Sequence, residues 1–325
     1  MYYTKLSEMK KIPELKPYAK YLIYGSGVAN LMMNFIPLTV MESQGWNLDS
    51  MNYGLERLIA EAEKGSCIYP VHTPEACKAD RKNRDVNVIY LPAGKKKENS
   101  PYVILIAGGA YTSVCSLVEA YPVAARLNEM GYDAFCLTYH VGGKGMMPKP
   151  MDDLAAAVRY IMKNEDKFGV KGSDYIVCGF SAGANVTAIW GTANHGYKAY
   201  GLPKPRALFP IYVPIGSKYF KADDKLTENY LTTCFGKNRT PELVADYDVD
   251  TNADADYPPT YLCCNKDDPL VDYHNSEDLK KVLDELEVPC ILEEGESGGH
   301  GFGEGRGLQV EKWYERAMAF AMEER

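Results

Sequence analysis

The sequence predicts an α/β protein with a mostly parallel sheet that is covered by helices. From Asp85 onward, short apolar runs with the length of buried strands alternate with longer segments that have helical spacing of apolar residues. A chain of 325 residues is long enough for one large domain with a sizeable core. In sheets of this kind the ligand lies at the carboxyl ends of the strands. Functional residues are therefore expected in the loops that follow the strands.

Seven apolar runs are predicted strands of this sheet, and residues 67–71 are a candidate for a further, antiparallel edge strand. The run at residues 102–107 is entirely apolar or aromatic, as expected of a central parallel strand. The predicted strands cover residues 86–91, 102–107, 134–139, 175–178, 207–213, 260–264 and 290–293.

Helices are predicted from apolar residues that recur every three or four positions. Leu154, Val158 and Ile161, for example, form one apolar stripe. The predicted helices cover residues 52–64, 117–130, 152–166, 184–190 and 276–286, with a closing helix at about 310–321.

Two segments do not follow the alternation of strands and helices. Residues 1–85 are predicted to form an N-terminal extension or cap, which leaves residues 86–325 as the main domain. Residues 216–256 are rich in Asp, Lys, Asn and Tyr, and we interpret them as an insertion between two strands of that domain.

Composition limits the kinds of function that the chain can have. A net charge of −8 argues against nucleic acid as a partner, and five histidines without close pairs give no metal signature. No cofactor is implied. Many of the nine cysteines lie in predicted strands, where cysteine behaves as a small apolar residue. We therefore favour a reducing, cytoplasmic compartment over a secreted disulfide framework.

An uncharged stretch at residues 21–41 raises the question of a signal peptide or membrane anchor, because lysines precede it. Glycines, asparagines and Pro37 interrupt its apolar residues, and asparagine is costly in hydrocarbon. We expect this stretch to pack over the domain rather than to bind a membrane.

The sequence Gly179-Phe180-Ser181-Ala182-Gly183 has the pattern G-x-S-x-G. An apolar run precedes it and a predicted helix follows it. Strand, sharp turn and helix in this order are typical of a nucleophile elbow, which exposes the serine oxygen at the carboxyl end of the strand. The two glycines are expected where neighbouring backbone comes close. The pentapeptide alone is weak evidence and needs partners elsewhere in the chain.

A serine hydroxyl becomes a good nucleophile when a base removes its proton and a carboxylate orients that base. The loop after residues 290–293 holds His300 among glycines, and the loop after residues 260–264 holds Asp268 before a proline. We predict that Ser181 is the nucleophile, His300 the base and Asp268 the orienting carboxylate.

Other assignments remain open at this point. Asp267 and Asp272 are rivals for the carboxylate, and Ser181 is alternatively an ordinary helix N-cap. The remaining histidines are expected at the surface or at helix ends. They are His72, His140, His195 and His274.

The negative oxygen that forms on an attacked carbonyl group needs backbone N–H donors that are already in place. Ala182, directly after the serine, is expected to supply one. The loop after residues 102–107 is expected to supply others from Gly109 and Ala110, with Gly108 shaping its turn. The alternative for these glycines is an ordinary turn.

Together these motifs resemble the α/β-hydrolase superfamily, specifically its esterase branch of hormone-sensitive-lipase-like enzymes and bacterial acetyl esterases. The resemblance covers about residue 86 to the C-terminus. It implies the same roles for Ser181, Asp268 and His300, in the chain order of that superfamily, and an N-terminal cap over the site. The segments that carry it are residues 106–111, 179–183, 268–271 and 299–302.

The chain departs from this family at one loop. Family members often have His-Gly-Gly-Gly where this chain has Ala107-Gly108-Gly109-Ala110. Ala110 still offers its N–H, but the lost histidine leaves open what supports the loop. The difference moves the chain towards the carbohydrate-esterase-like members.

These observations lead us to expect a serine carboxylester hydrolase that acts on small acyl groups, such as acetyl on a sugar or another polar alcohol. A serine peptidase or amidase on the same fold is the first alternative, with the acidic residues 246–256 as a site for an amine terminus. A non-catalytic ligand-binding homologue is the second. The expected partner is a small-molecule ester, and a homodimer is a further candidate assembly.

Overall fold

The computed structural model describes residues 2–25, 32–221 and 224–323, and its centre is one eight-stranded sheet. In spatial order the strands are β8-β7-β6-β5-β3-β4-β2-β1. Strand β2 is antiparallel to β1 and β4, and all other neighbours are parallel. In chain order they are β1 (Ile68–Pro70), β2 (Asn87–Leu91), β3 (Tyr102–Ile106), β4 (Ala134–Thr138), β5 (Tyr175–Phe180), β6 (Ala207–Ile211), β7 (Thr260–Asn265) and β8 (Cys290–Gly295).

The predicted fold class is confirmed, and burial explains why the strands could be found. Every residue of β3, β4, β5, β6 and β7 is buried. Parallel strands covered on both sides read as continuous apolar runs. The predicted antiparallel edge strand is also present, as β1.

Helices pack against this sheet. The one predicted at residues 184–190 starts earlier, directly after Ser181, and the one predicted at 152–166 is two helices. The helices are α1 (Leu6–Met9), α2 (Leu48–Ala62), α3 (Pro74–Ala79), α4 (Ala120–Glu129), α5 (Lys149–Lys163), α6 (Glu165–Phe168), α7 (Ala182–Ile189), α8 (Lys225–Phe235), α9 (Pro241–Ala245), α10 (Val249–Asn252), α11 (His274–Glu285) and α12 (Trp313–Ala321).

The N-terminal segment is attached to the main domain at several points. It contributes β1 to the sheet, and α2 packs on α4. The buried carboxylate of Glu304 accepts hydrogen bonds from Ser50 Oγ (2.6 Å) in α2 and from Arg126 Nε (2.5 Å) in α4. The two-residue strand Tyr24–Gly25 pairs with Ser113–Val114. A domain boundary at residue 85 stays a prediction.

Part of the uncharged stretch at residues 21–41, namely residues 26–31, lies outside the described residues. In the ranges that are described, no helix combines the length and the apolar character needed to cross a membrane.

The insertion at residues 216–256 lies between β6 and β7 and contains α8, α9 and α10. Several of its described acidic side chains are paired within the domain. Asp246 contacts His195 (Oδ2–Nε2 2.6 Å), and Asp250 contacts Lys218 (Oδ2–Nζ 2.7 Å). These pairs use the carboxylates that an amine-binding site would need.

The expected surface position of His140 is wrong. Its side chain is buried beside Asp153, which is 1% exposed. Hydrogen bonds of 2.7 Å join His140 Nδ1 and His72 Nε2 to the two oxygens of that carboxylate. A buried carboxylate needs hydrogen-bond donors. Here two imidazoles supply them, from histidines that lie 68 positions apart in the sequence.

Candidate active site

Ser181 occupies a strained turn between β5 and α7. Its φ is +53° and its ψ −119°, a conformation that a residue with a side chain rarely adopts. The flanking glycines make the turn possible. A Cβ on Gly179 would lie 2.1 Å from the Gly183 oxygen, and a Cβ on Gly183 would lie 2.0 Å from the Ile106 oxygen. The motif is therefore explained by backbone contacts on both sides of the serine.

The structure brings Ser181, His300 and Asp268 into one hydrogen-bonded line. His300 Nε2 lies 2.8 Å from Ser181 Oγ, and His300 Nδ1 lies 2.6 Å from Asp268 Oδ2. The Asp268 side chain is 0% exposed. Its second oxygen, Oδ1, accepts the N–H groups of Leu270 (2.8 Å) and Val271 (2.9 Å). Such a line can pass a proton from the hydroxyl to an imidazole whose ring is held in place.

The two rival carboxylates have other contacts. Asp267 accepts the backbone N–H groups of Gly298 (3.1 Å) and Gly299 (2.9 Å), so it holds the loop that precedes His300. Asp272 is hydrogen-bonded to His274 Nδ1 (2.6 Å), which raises the pKa of His274.

The loop after β3 has three consecutive residues with positive φ. Gly109 has a φ of +132°, and Ala110 and Tyr111 have φ values of +50° and +57°. A Cβ on Gly109 would lie 2.3 Å from the Ser113 oxygen, so the turn requires glycine there. Within the described ranges, no protein acceptor takes the N–H of Gly109 or Ala110.

Ala182 is the first residue of α7, so its N–H has no partner inside the helix. The N–H of Gly108 differs from these donors because it is already used. It donates to Glu119 Oε2 at 2.5 Å. Gly108 therefore does not face the site as a free donor, and its N–H holds the loop to Glu119 instead.

Glu119 and Tyr212 were missed in the sequence. Glu119 is 4% exposed and accepts the Tyr212 hydroxyl at 2.9 Å as well as the Gly108 N–H. Burial raises the pKa of Glu119. The available signal was a single glutamate in the otherwise apolar start of the helix predicted from residue 117.

A cavity with a volume of about 610 Å³ opens above Ser181. Ala110 and Ala182 line it beside the serine, and Pro269, Leu270 and Tyr273 line the side near His300. The insertion supplies much of the remaining wall, through Tyr219, Phe220, Lys221, Leu226, Thr227, Asn229 and Tyr230.

The N-terminal segment approaches the site from another direction. A Cβ on Gly45 would lie 2.3 Å from the His300 carbonyl oxygen, so this segment packs directly on the loop that carries the imidazole. A cap formed by residues 1–85 stays a prediction. The described residues that line the cavity begin at Ala110.

In residues 2–25, 32–221 and 224–323, no three His, Cys, Asp or Glu side chains converge so that they could hold one ion. All nine cysteines are free thiols.

The sheet order, the serine at a strand-to-helix turn and the later aspartate and histidine loops together define an α/β-hydrolase. A family model described as BD-FAE matches residues 88–283. The chain belongs to this family, which is a family of α/β-hydrolase esterases.

The chain is also similar to curated proteins that are named as a xylanase and as an esterase. The chain is 26% identical over 209 residues to endo-1,4-beta-xylanase B of Butyrivibrio fibrisolvens, covering 61% of this chain and 32% of the relative. It is 22% identical over 223 residues to an acetylxylan esterase of Xylanibacter ruminicola, covering 67% and 44%. The chain thus spans less than half the length of these curated relatives.

A similar solved structure is the acetyl ester-xyloside bifunctional hydrolase from Caldicellulosiruptor lactoaceticus. It has a TM-score of 0.61 and 26% sequence identity, over 72% of this chain and 86% of that chain.

Proposed function

We propose that this chain is a serine carboxylester hydrolase that removes small acyl groups, above all acetyl, from a sugar or another polar alcohol. The observation that carries the proposal is the hydrogen-bonded line from Ser181 through His300 to Asp268. It supplies a nucleophile, a base and an orienting carboxylate at the carboxyl edge of the sheet.

The first half of the reaction forms an acyl-enzyme. Ser181 Oγ attacks the acyl carbon while His300 Nε2 takes the hydroxyl proton. The N–H groups of Gly109, Ala110 and Ala182 stabilise the oxygen that becomes negative. His300 then gives its proton to the leaving alcohol oxygen as the bond to the acyl carbon breaks.

The second half releases the acid. His300 takes a proton from a water molecule that attacks the acyl carbon, and then returns it to Ser181 Oγ as the acyl–serine bond breaks. Asp268 holds the imidazole ring with its Nδ1–H directed at the carboxylate through both halves. No further group is needed for this sequence of steps.

Two features support an acetylated sugar as the substrate. Relatives include proteins named endo-1,4-beta-xylanase B, acetylxylan esterase and acetyl ester-xyloside bifunctional hydrolase. The cavity also combines aromatic rings with polar side chains, as at Tyr219, Tyr230 and Asn229. Aromatic rings can cover the apolar face of a sugar while polar groups bind its hydroxyls.

The peptidase alternative gains no support from the described acidic residues of the insertion. Asp246 is hydrogen-bonded to His195, and Asp250 and Asp256 form ion pairs with Lys218 and Lys198. No carboxylate of this group lines the cavity above Ser181 in the described part of the chain.

Hydrolysis of p-nitrophenyl acetate tests the proposal. The unchanged chain should turn it over, and Ser181→Ala should lower kcat by about a thousandfold or more, because the nucleophile is gone. Ser100→Ala is a control away from the site, since Ser100 precedes β3 and its hydroxyl donates to the Lys97 carbonyl oxygen at 2.8 Å. An unchanged chain that cleaves aminoacyl-nitroanilides but no ester would contradict the proposal.

A further inference from the structure

The loop that holds the proposed oxyanion donors is supported by a buried carboxylate. Gly108 N–H donates to Glu119 Oε2 at 2.5 Å, one residue before the donors Gly109 and Ala110. In this loop Ala107 stands where the hormone-sensitive-lipase-like enzymes, which the sequence resembles, often have histidine. The loop is therefore supported, but by the N-cap residue of α4 rather than by a residue of the loop itself.

The contact is tight enough to transmit a small displacement. A Cβ on Gly108 would lie 2.7 Å from Ser181 Cβ and 2.6 Å from the Phe180 oxygen. The loop therefore rests directly on the elbow that holds the nucleophile. A donor that is misplaced by about 1 Å can lower a rate by about a hundredfold.

The same carboxylate reaches the histidine side of the site. Glu119 Oε1 accepts the hydroxyl of Tyr212, whose ring centroid lies 4.8 Å from that of His300. The Tyr212 oxygen in turn accepts the N–H of Gly303 at 3.4 Å. Glu119 thus joins the loop after β3 to the loop that carries the base.

Glu119 does not have the contacts of a structural ion pair. Within the described residues, its hydrogen-bond donors are the Gly108 amide and the Tyr212 hydroxyl, neither of which is charged. A carboxyl group that is 4% exposed and has only neutral donors is costly to bury. A leucine or methionine would fill the same space without that cost.

We propose that Glu119 is a positioning residue of the esterase site. It fixes Gly108 so that the N–H groups of Gly109 and Ala110 meet the developing oxyanion, and through Tyr212 it holds the position of the His300 loop. This role rests on the proposed ester hydrolysis. It predicts an effect on kcat with little effect on KM, because the donors act on the transition state.

Glutamine separates hydrogen bonding from charge. In Glu119→Gln, Oε1 can accept the Gly108 N–H while Nε2 donates to the Tyr212 oxygen. Glu119→Ala offers neither bond. We expect Glu119→Ala to lower kcat on p-nitrophenyl acetate by about 10–100-fold, with KM within about threefold, and Glu119→Gln to stay within about threefold of wild type.

Asp133 provides a matched control. It is also 4% exposed and accepts a backbone N–H, from Ala93 at 2.8 Å, and a tyrosine hydroxyl, from Tyr90 at 3.2 Å. Unlike Glu119, it also forms an ion pair, with Lys96 (Oδ2–Nζ 2.6 Å). Asp133 directly precedes β4 and so lies at the amino ends of the parallel strands, whereas Ser181 lies at their carboxyl ends. Asp133→Ala should lower stability while the folded fraction keeps its kcat. A loss of kcat as large as that of Glu119→Ala would overturn the proposal, as would equal losses in Glu119→Ala and Glu119→Gln.

Hydrogen–deuterium exchange of residues 107–115 reads the loop without using activity. Exchange should be faster in Glu119→Ala than in wild type and close to wild type in Glu119→Gln. Equal exchange in wild type and Glu119→Ala would overturn the positioning role even if the esterase activity is present. A chain that hydrolyses no ester but shows the expected exchange would instead refute the proposed reaction and keep the loop contact.

Discussion

Replacing Asp268 by asparagine is the sharpest test of the site because the structure dictates how the new side chain must turn. Asp268 Oδ1 accepts two backbone N–H groups, from Leu270 and Val271. In Asp268→Asn the amide oxygen has to keep this place, since the NH₂ group has no acceptor there. The NH₂ group then faces His300 Nδ1, where Oδ2 lies 2.6 Å away in the wild type.

The expected loss follows from the tautomer. An NH₂ group can only donate, so Nδ1 must lose its proton and Nε2 must carry it. Nε2 then cannot accept the proton of Ser181, 2.8 Å away. The same change of tautomer in a serine protease lowers kcat about 10⁴-fold, which equals about 5.4 kcal/mol of transition-state stabilisation. We expect a loss of about this size.

The assay is the pH profile of kcat on p-nitrophenyl acetate, with thermal unfolding to show that the fold is intact. The matched control is Asp267→Asn, one position earlier, whose carboxylate accepts the N–H groups of Gly298 and Gly299. An amide oxygen can still accept one of these bonds, so we expect a loss of no more than about tenfold. If Asp268→Asn keeps more than about a tenth of the wild-type kcat, or if Asp267→Asn is the worse variant, the tautomer argument is refuted.

Two further predictions concern stability. Gly183→Ala should lower the free energy of unfolding, measured by urea titration, by about 3 kcal/mol or more, because the new methyl group would lie 2.0 Å from the Ile106 oxygen. Gly94→Ala is the control and should change the free energy of unfolding little, because the space around Gly94 is open. Burial alone would raise the pKa of Glu304, but hydrogen bonds, chiefly from Arg126, outweigh burial and lower it. A lowered pKa adds stability above the unfolded value of about 4.3 that is lost as pH falls through the folded value, so Glu304→Ala should cost about 3 kcal/mol at pH 7 and clearly less at about pH 3. An equal cost at both pH values would contradict this sign.

The parallel strands could be predicted because burial on both sides leaves a clear pattern of apolar runs. The serine motif could be predicted because its glycines are required by backbone contacts, such as that between Gly183 and Ile106. The choice of Asp268 over Asp267 was weaker, since both carboxylates follow β7. The two differ in which carboxylate reaches His300, and the turn at Leu270 and Val271 decides this by orienting Asp268.

Other features depend on contacts between distant segments and leave little trace in local sequence. His140 pairs with Asp153 because the loop that follows β4 comes close to α5. The aromatic wall of the cavity comes from the insertion, where Tyr230 sits on a helix that the sequence analysis did not place. The partners of Glu119 lie 11 residues before it and 93 residues after it, at Gly108 and Tyr212.

Backbone strain at the sheet edge connects these observations. Of the seven non-glycine residues with positive φ in the described chain, four follow β3, β5 or β6, which are adjacent in the sheet. They are Ala110, Tyr111, Ser181 and Tyr212. Such residues persist only where surrounding contacts fix them. Here the fixing contacts are backbone bonds between neighbouring loops and strands, as from Ser181 N–H to the Ile211 oxygen (3.1 Å) and from Tyr212 N–H to the Cys263 oxygen (2.7 Å).

The strained positions share a consequence for the site. Ser181 lines the cavity with its oxygen against His300, and within the described residues the Ala110 N–H has no protein acceptor. Tyr212 gains a hydroxyl that reaches Glu119 from beneath the His300 ring. The conformations of Ser181 and Ala110 each place a group that the proposed reaction uses, and the conformation of Tyr212 places a hydroxyl that donates to Glu119. Because strain of this kind costs about 1–3 kcal/mol per residue, its concentration at these three strand ends favours a site built for chemistry over a fold that merely tolerates a serine there.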